Sequence, residues 1–410
     1  MTEGTKAPSR TVSLRRALSL PWLVFYGVGV TIGAGIFALI GEVLAVAGDH
    51  APYAFLVAGT VAGFTAFSYA ALSSAYPRAA GEVIYVKHGI GDWAGRLIGI
   101  GIIGTALASS SVISLAFAGY VASFSGLPEW ISLSAMLVVL GSVAIAGVRQ
   151  SVGLAAVITL LEVGTLLVVI LVGLPQAVEG GALWRVLVPP LGLSPWMGVA
   201  AAAFLAFFAF IGFEDIVNMA EETEDAGNVV PRAVLWTLGI SVIIYGLVAA
   251  VAASFVDREA IATSRAPLAM MFEISTGTSG AIIAVMASIS MINGILVQIV
   301  MASRVVYGMA NEGMLPAMLG RVHAGRQTPA IATAVITAAI LLLSLTLPML
   351  RLAALTSLII LAIFTAVNLS LYLLGRREAA PEQLRRWRFW GLAGALVSLA
   401  LTASEVAGRH

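Results

Sequence analysis

The sequence has no cysteine and few charged side chains, and both shortages narrow the classes to which it can belong. Without cysteine among the 410 residues, disulfides, thiolate metal sites and cysteine nucleophiles are all excluded. Only 10% of the residues are charged, whereas soluble domains carry about 25%. The net charge of +1 offers no basic excess for a nucleic acid. With 60% hydrophobic residues, the chain is predicted to be an all-α integral membrane protein.

Apolar runs long enough to cross a bilayer recur along the chain. A spanning helix needs roughly 20 mainly apolar residues, because unpaired backbone groups cannot face lipid. The sequence predicts eleven spans, at 20–47, 53–76, 94–124, 130–147, 152–174, 196–220, 233–256, 278–308, 328–347, 352–374 and 388–407. All eight tryptophans fall at span ends or in loops, as expected of indole rings at a membrane interface.

Lysine and arginine are distributed unequally between the two predicted sides. With the N-terminus inside the cell, 17 of the 22 basic residues lie on the cytoplasmic side, the bias expected of cytoplasmic loops. We therefore expect a multi-pass protein of the inner (plasma) membrane with a cytoplasmic N-terminus. The expected parts are a cytoplasmic tail at 1–19, a core at 20–374 made of repeats 20–174 and 196–374, and a cytoplasmic linker with an additional spanning helix at 375–410.

Glycines interrupt two spans close to the bilayer midplane. The first span contains Gly33-Ala34-Gly35, and the sixth contains Ile211-Gly212. Gly33 and Gly35 face opposite sides of a helix, which favours unwinding over a helix-packing stripe. The interruptions fall in the first helix of each set of five spans. Such a pair of broken helices indicates an inverted-repeat transporter with a binding site at the midplane.

The backbone at such breaks suits a zwitterion. The restarted half of a broken helix offers free N–H groups and a positive dipole end, which suit a carboxylate. The carbonyls freed on the other side of the break suit an ammonium group. The breaks therefore favour a small molecule that carries both groups, such as an amino acid.

Four stretches resemble one transporter family. They are IGAGIF in the first span, SYAALSSAYPRAAGEVIYV after the second, FFAFIGFEDIVNMAEETEDAGNVVPRAV in and after the sixth, and SMINGILVQIVMASRVVYGMANEGMLPAMLGRVHAGRQTPAIATAV in and after the eighth. In content and order they are similar to the amino acid–polyamine–organocation (APC) transporters, over nearly the whole chain. The resemblance implies the leucine-transporter fold, a 5+5 inverted repeat, here with one extra C-terminal helix.

The resemblance also implies a substrate site at the two breaks. Its residues would be Thr31, Gly33, Ala34, Gly35, Phe208, Ile211 and Asn293. The backbone N–H groups at 33–35 would meet the carboxylate, and carbonyls near Thr31, Phe208 and Ile211 would meet the ammonium. Phe208 matches an aromatic gate in the family, with an ordinary core or lipid-facing aromatic as the alternative. Asn293 lies mid-span in helix eight, where it either faces the cavity or links helices.

Two intramembrane acids are candidates for proton coupling. Glu162 lies at the middle of the fifth span, with no other ionisable residue within ten positions. A charge there costs about 2.5–3.5 kcal/mol by insertion scales, so the carboxyl is expected to be protonated part of the time or paired. Proton-coupled members of the resembled family have a lysine near this point, and the change of charge sign leaves proton coupling, direct cation binding and a permanently protonated structural group open. Glu214 matches a family acid linked to proton sensing.

The combined features favour secondary active transport, by proton-coupled uptake of small neutral amino acids through alternating access. An obligate amino acid exchanger without net proton flux is the alternative transport class, and a membrane amino acid sensor or binding subunit is the alternative outside transport. An enzyme is not expected, since the four histidines lie in loops or at the terminus. The expected partners are the amino acid and the lipid bilayer, with no cofactor apart from a coupling proton or sodium. The oligomeric state stays open.

Overall fold

The described part of the chain is mainly helical. The computed structural model describes residues 18–78, 81–147, 152–322 and 326–408. Within these ranges the backbone forms helices, turns, loops and one isolated bridge between Leu18 and Thr223, which confirms the predicted all-α class. Features used in the sequence interpretation that lie outside the described residues are 1–17 of the N-terminal tail, Arg149, His323, Arg409 and His410.

The first half of the chain contains the predicted spans one to five. Its described helices are α1 (Leu20–Ile32), α2 (Gly35–Ala47), α3 (Ala51–Ala75), α4 (Gly81–Gly89), α5 (Asp92–Ser125), α6 (Glu129–Ala146), α7 (Val152–Val178) and α8 (Ala182–Val186). Together α1 and α2 form the first predicted span, and α3, α5, α6 and α7 coincide with the next four. The short helices α4 and α8 lie between spans.

The second half contains the predicted spans six to eleven. Its described helices are α9 (Leu193–Ala206), two 3₁₀ helices (Phe207–Phe210 and Phe213–Glu222), α10 (Ala226–Ser254), α11 (Arg258–Thr263), α12 (Pro267–Thr276), α13 (Ala281–Asn311), α14 (Ala330–Thr346), α15 (Met349–Gly375) and α16 (Glu382–Gly408). The sixth span consists of α9 and both 3₁₀ helices. The last five spans coincide with α10, α13, α14, α15 and α16, whereas α11 and α12 form a connection.

Helix length and apolarity agree with repeated membrane crossing. In the described part of the chain, eight helical segments are long and apolar enough to span a bilayer, one of which joins α2 to α3. Two shorter apolar helices, α1 and α14, accompany them. Since α1 is continued by α2 after a two-residue interruption, its short length reflects the break in the first span.

Small residues allow close packing around α1. A Cβ on Gly27 of α1 would lie 2.5 Å from the hydroxyl oxygen of Thr237 on α10, so these helices approach as closely as a glycine allows. Between helices in lipid, van der Waals contact of this kind replaces the hydrophobic driving force. On the bundle's inner side α1 contacts both α7 and α10, while α13 lies along α5 and α15 contacts α5 and α16. The interrupted helix therefore lies at the centre of the bundle.

Candidate functional site

The predicted break in the first span is present at Gly33 and Ala34. Gly33 has φ −16° and ψ −78°, and Ala34 has φ −126° and ψ −16°, so neither residue continues the helix. The N–H of Gly33 still donates to the Gly29 carbonyl at 3.0 Å, and that of Ala38 donates to the Ala34 carbonyl at 3.0 Å. Because the first N–H groups of a helix lack intrahelical acceptors, the start of α2 presents donors and a positive dipole end.

The predicted break in the sixth span lies at Ile211 and Gly212. Ile211 is extended, with φ −65° and ψ 131°, and Gly212 has φ 127°, a conformation that favours glycine. Beyond them the chain continues as the 3₁₀ helix Phe213–Glu222. A 3₁₀ run of this length is uncommon and marks a hinge or a strained segment. The second half of this span is therefore irregular beyond the break itself.

The two breaks pack directly against each other. A Cβ on Gly35 would lie 2.6 Å from the Cα of Ala209, and a Cβ on Gly212 would lie 2.9 Å from the carbonyl oxygen of Val30. A larger residue at either position would require the facing backbone to move. The two glycines therefore allow the main chains of the two breaks to lie in direct contact.

Tyr245 of α10 links the two breaks through its hydroxyl group. Its hydroxyl oxygen lies 2.8 Å from the Thr31 carbonyl oxygen and 2.9 Å from the Ala209 carbonyl oxygen, so its single proton is shared between them. The side chain is fully buried, and its ring centroid lies 5.1 Å from that of Phe210 and 5.9 Å from that of Phe55. Tyr245 thus supplies a donor to one carbonyl from each interrupted helix, where intrahelical donors are missing.

A cavity of about 250 Å³ lies in front of the breaks. Its lining includes eight of the nine residues predicted for the site, namely Thr31, Gly33, Ala34, Gly35, Glu162, Phe208, Ile211 and Asn293. The ninth, Glu214, does not line it; its carboxylate accepts a 2.8 Å hydrogen bond from the N–H of Gly212 and so caps the second break. Its neighbour Asp215 lines the cavity. The fold gathers these residues in one place, and their individual roles stay predictions.

The cavity extends toward the end of the bundle where α1 begins. Its lining continues to Trp22 near the start of α1 and to Met219 and Glu222 in the second 3₁₀ helix. Toward the opposite end, Phe208 is buried beside the break, and α11 packs against α2. In the predicted orientation, this is a cavity that faces the cytoplasm and is closed toward the outside.

The two half-helices on the open side are tied together through their main chains. The N–H of Leu18 donates to the Glu222 carbonyl at 3.0 Å, and the N–H of Glu224 donates to the Leu18 carbonyl at 3.0 Å. These bonds join the start of α1 to the end of the 3₁₀ helix. Movement of either segment away from the cavity is therefore expected to carry the other with it.

Glu162 of α7 lines the same cavity and is 1% exposed. α7 lies directly on α1, because a Cβ on Gly29 would overlap the hydroxyl of Thr159, one turn before Glu162. Among the described residues, Glu162 Oε2 and the hydroxyl of Thr31 are buried without a hydrogen-bond partner. Both groups are therefore available to a proton, a cation or a water molecule at the end of α1.

Three polar side chains of the cavity wall escaped the sequence interpretation. Ser109 of α5 and Gln298 of α13 line the cavity, and Ser110 is fully buried beside it. Both serine hydroxyls donate to Gln298 Oε1 at 2.7 Å. The serine run in the third span and the amide in the eighth were visible in the sequence. Their contact was not, since it joins residues 188 and 189 positions apart.

One buried acid lies outside the spanning helices. Glu82 of α4 is 5% exposed. Burial, and to a smaller extent the negative charge of Asp215, raises the pKa of its carboxyl from 4.5 to about 7. A Cβ on Gly81 of α4 would lie 2.7 Å from Cγ2 of Val217, so α4 packs against the 3₁₀ helix that contains Asp215.

Comparison with known proteins agrees with this geometry. A family model described as amino acid permease matches residues 18–406. An uncharacterized transporter of Mycobacterium tuberculosis is 31% identical over 398 residues, which cover 96% of this chain and 88% of that protein. A branched-chain amino acid permease of Bacillus subtilis is 28% identical over 414 residues, covering 94% and 86% respectively. A vacuolar cationic amino acid transporter of Arabidopsis thaliana is 29% identical over 412 residues, covering 93% and 63%.

The relatives share a class of activity, and the two whose names state a substrate differ in that substrate. The family match spans nearly all of the described chain, and these relatives are named as transporters or permeases. This confirms the APC resemblance and the expectation that the protein is not an enzyme. The chain belongs to the amino acid permease family and is a multi-pass membrane transporter.

Proposed function

We propose that this permease is a secondary active transporter that takes up a small neutral amino acid together with a proton by alternating access. The observation that carries the proposal is that both helix breaks and Glu162 line one cavity. The cavity volume of about 250 Å³ is below the roughly 300–1,000 Å³ of sites for drug-sized ligands. A small metabolite is the ligand that such a volume suits.

The backbone at the breaks supports recognition of a zwitterion. The N–H groups of Ala34 and Gly35 would meet the carboxylate, since they lie where α2 has its positive dipole end; the N–H of Gly33 is already bonded to the Gly29 carbonyl. Carbonyls of Thr31, Phe208 and Ile211 would meet the ammonium. The Thr31 carbonyl already accepts a hydrogen bond from Tyr245, and its second lone pair is left for the ammonium.

The cavity walls support a neutral substrate side chain. Opposite the breaks the lining includes Ile113, Asn293 and Val297, which are uncharged. Among the described residues, no lysine, arginine or histidine lines the cavity, so an anionic side chain would be buried without a counter-charge. The acids Asp215 and Glu222 belong to the 3₁₀ helix Phe213–Glu222 on the open side of the cavity.

Glu162 is the proposed carrier of the coupling proton. It is buried in the cavity wall with one carboxyl oxygen unpaired, so a proton can bind it without breaking an existing contact at that oxygen. A zwitterion that moves with one proton carries one net positive charge inward. Each 100 mV of membrane potential then supplies about 2.3 kcal/mol, roughly a fiftyfold accumulation. Sodium, held by Glu162 and the Thr31 hydroxyl, is the alternative coupling ion.

Alternating access follows from the interrupted helices. The main-chain bonds of Leu18 to Glu222 and Glu224 join the open-side half-helices into one unit, and the breaks provide hinges. In the proposed cycle this unit closes the cytoplasmic side of a plasma-membrane protein whose N-terminus is cytoplasmic. The outer half-helices then separate, and the site faces outward without moving from the midplane.

Transport into proteoliposomes tests the proposal. The purified full chain is reconstituted, and uptake of radiolabelled alanine is measured under an imposed inward proton gradient, with and without a protonophore. We expect wild-type protein to accumulate the substrate and a protonophore to abolish the accumulation. Glu162→Gln is expected to retain counterflow and to lose gradient-driven accumulation. Glu42→Gln, an acid-to-amide change outside the cavity lining, is the matched control and is expected to behave as wild type.

Each alternative has a distinct result in the same assay. Undiminished accumulation by Glu162→Gln would remove the coupling role of that residue. Accumulation that requires a sodium gradient would replace the proton. Wild-type counterflow that ignores an imposed pH gradient would indicate the obligate exchanger. Substrate binding without any flux would indicate the sensor or binding subunit.

A further inference from the structure

The wall of the cavity opposite the breaks contains an amide whose orientation is fixed. Gln298 Oε1 accepts hydrogen bonds from the hydroxyls of Ser109 and Ser110 at 2.7 Å each. A carbonyl oxygen has two lone pairs, so these two donors occupy both. Ser109 is 2% exposed and Ser110 is fully buried, which protects the bonds from competition with water. The plane of the amide is therefore set by α5.

The nitrogen of the same amide is left with two free donors. Among the described residues, Gln298 Nε2 donates no hydrogen bond, although the side chain lines the cavity. A partly buried N–H without an acceptor is costly, so a ligand or water in the cavity is the expected partner. An amide that served only to link α5 and α13 would need its oxygen alone.

Gln298 lies close enough to the breaks to meet a substrate side chain. A Cβ on Gly294 would lie 3.9 Å from Cβ of Ala34, so this point of α13 faces the first break. Gln298 follows Gly294 by four residues, one helical turn further along the same face, about 6 Å. An amino acid whose main-chain groups occupy the break thus has its side chain within reach of the amide nitrogen.

We propose that the Gln298 amide is a specificity-determining donor for the side chain of the substrate, and that the preferred substrates are neutral amino acids with a hydrogen-bond acceptor on the side chain, namely a hydroxyl or a carboxamide. This inference rests on the proposed function. Because the oxygen of the amide already accepts two hydrogen bonds, Gln298 has no acceptor left for a side chain that can only donate, such as an alkylammonium. Purely aliphatic side chains leave its N–H groups unpaired.

Binding of isosteric amino acid pairs tests the inference. Threonine and valine have nearly the same shape and differ in one hydroxyl, as serine and alanine differ by one hydroxyl. Dissociation constants are measured by calorimetry on the full chain in lipid nanodiscs. A net hydrogen bond to a neutral donor is worth about threefold to tenfold in affinity, so wild-type protein is expected to bind threonine over valine, and serine over alanine, by that factor. A threonine-to-valine ratio at or below one in wild-type protein overturns the inference.

Substitutions locate the preference at the amide nitrogen. Gln298→Glu keeps oxygens that accept from the two serines and removes the N–H donors, whereas Gln298→Met removes both the oxygen and the donors. Each variant is expected to bring the threonine-to-valine affinity ratio to about one, while the affinity for valine changes less than twofold. Gln176→Met is the matched control, since Gln176 donates to the Ile274 carbonyl outside the cavity, and its ratio is expected to stay at the wild-type value. A ratio that survives Gln298→Met refutes the inference. If wild-type protein binds no amino acid at all, the proposed function itself fails.

Discussion

Replacing Tyr245 by phenylalanine tests whether one hydroxyl holds the two breaks together. The ring of Tyr245 packs against Phe55 and Phe210, and phenylalanine preserves that packing. The change therefore removes only the oxygen that lies 2.8 Å from the Thr31 carbonyl and 2.9 Å from the Ala209 carbonyl.

The magnitude follows from the number of protons that are lost. The hydroxyl has one proton, so its removal costs one buried hydrogen bond rather than two, even though both carbonyls lie within reach. A buried acceptor left without its donor costs about 1–3 kcal/mol. The same free energy corresponds to a factor of roughly 5 to 150 in an equilibrium between closed and open breaks. We therefore expect a lower free energy of unfolding and weaker substrate binding in Tyr245→Phe.

Unfolding in mixed detergent micelles, together with substrate titration in nanodiscs, measures both quantities. Tyr53→Phe is the matched control, because Tyr53 also donates to a main-chain carbonyl, that of Leu187, but at an exposed site where water can replace it. That variant is expected to stay within about 0.5 kcal/mol of wild type. Equal stability and equal substrate affinity in Tyr245→Phe and wild type would refute the idea that the hydroxyl couples the two breaks.

Two further substitutions test the backbone and the buried acid outside the spans. Gly212→Ala is expected to abolish transport and to destabilise the fold by more than the 1–3 kcal/mol of an unfavourable backbone conformation, because its Cβ would also lie 2.9 Å from the Val30 carbonyl oxygen. Gly48→Ala is the control, since Gly48 has a φ of 53° and no atom within 4 Å of a Cβ. In the same transport and unfolding assays it measures the effect of the backbone conformation alone. For Glu82, whose pKa rises from 4.5 to about 7 on burial, the folded protein holds the proton more tightly, so its contribution to stability is present below pH 4.5 and is lost as the pH rises through about 7. The loss amounts to about 3 kcal/mol, and unfolding at pH 5 and pH 8 is expected to show a smaller difference in Glu82→Gln; an identical difference would contradict the assignment.

The sequence was sufficient to predict the interrupted helices, because glycine acts locally. Gly33 and Gly35 lie two residues apart within an apolar span, and Gly212 follows an aromatic-rich stretch and is separated by Phe213 alone from two acids. In each case the physical reason for the break is the missing side chain, which can be read from the residue itself. The structure confirms both interruptions and shows why glycine is required at two of these positions, since Gly35 and Gly212 each face the backbone of the other broken helix.

Contacts between distant helices could not be predicted in the same way. In the sequence, nothing distinguishes Tyr245 from other residues of an apolar span, because its hydrogen bonds to the breaks depend on α10 packing against α1. The bonds of Ser109 and Ser110 to Gln298 likewise require the third and eighth spans to lie side by side. Glu214 shows that a local contact can also be missed. Its position after the second break is visible in the sequence, but the turn that directs its carboxylate back to the Gly212 N–H is not.

The end of α1 is where the proposed proton and the proposed substrate meet. The Thr31 carbonyl accepts a hydrogen bond from the Tyr245 hydroxyl, and the Thr31 hydroxyl has no hydrogen-bond partner beside the cavity. Glu162 lies on α7, which packs against both α1 and α10, the helix of Tyr245. In the proposed cycle, a proton on Glu162 removes a negative charge from the cavity wall that packs against α1, so the proton and the ligand both act on the first break. Since coupling free energies are reciprocal, a substrate that tightens the breaks must also tighten proton binding in the proposed cycle, and no second site is needed to link the two fluxes.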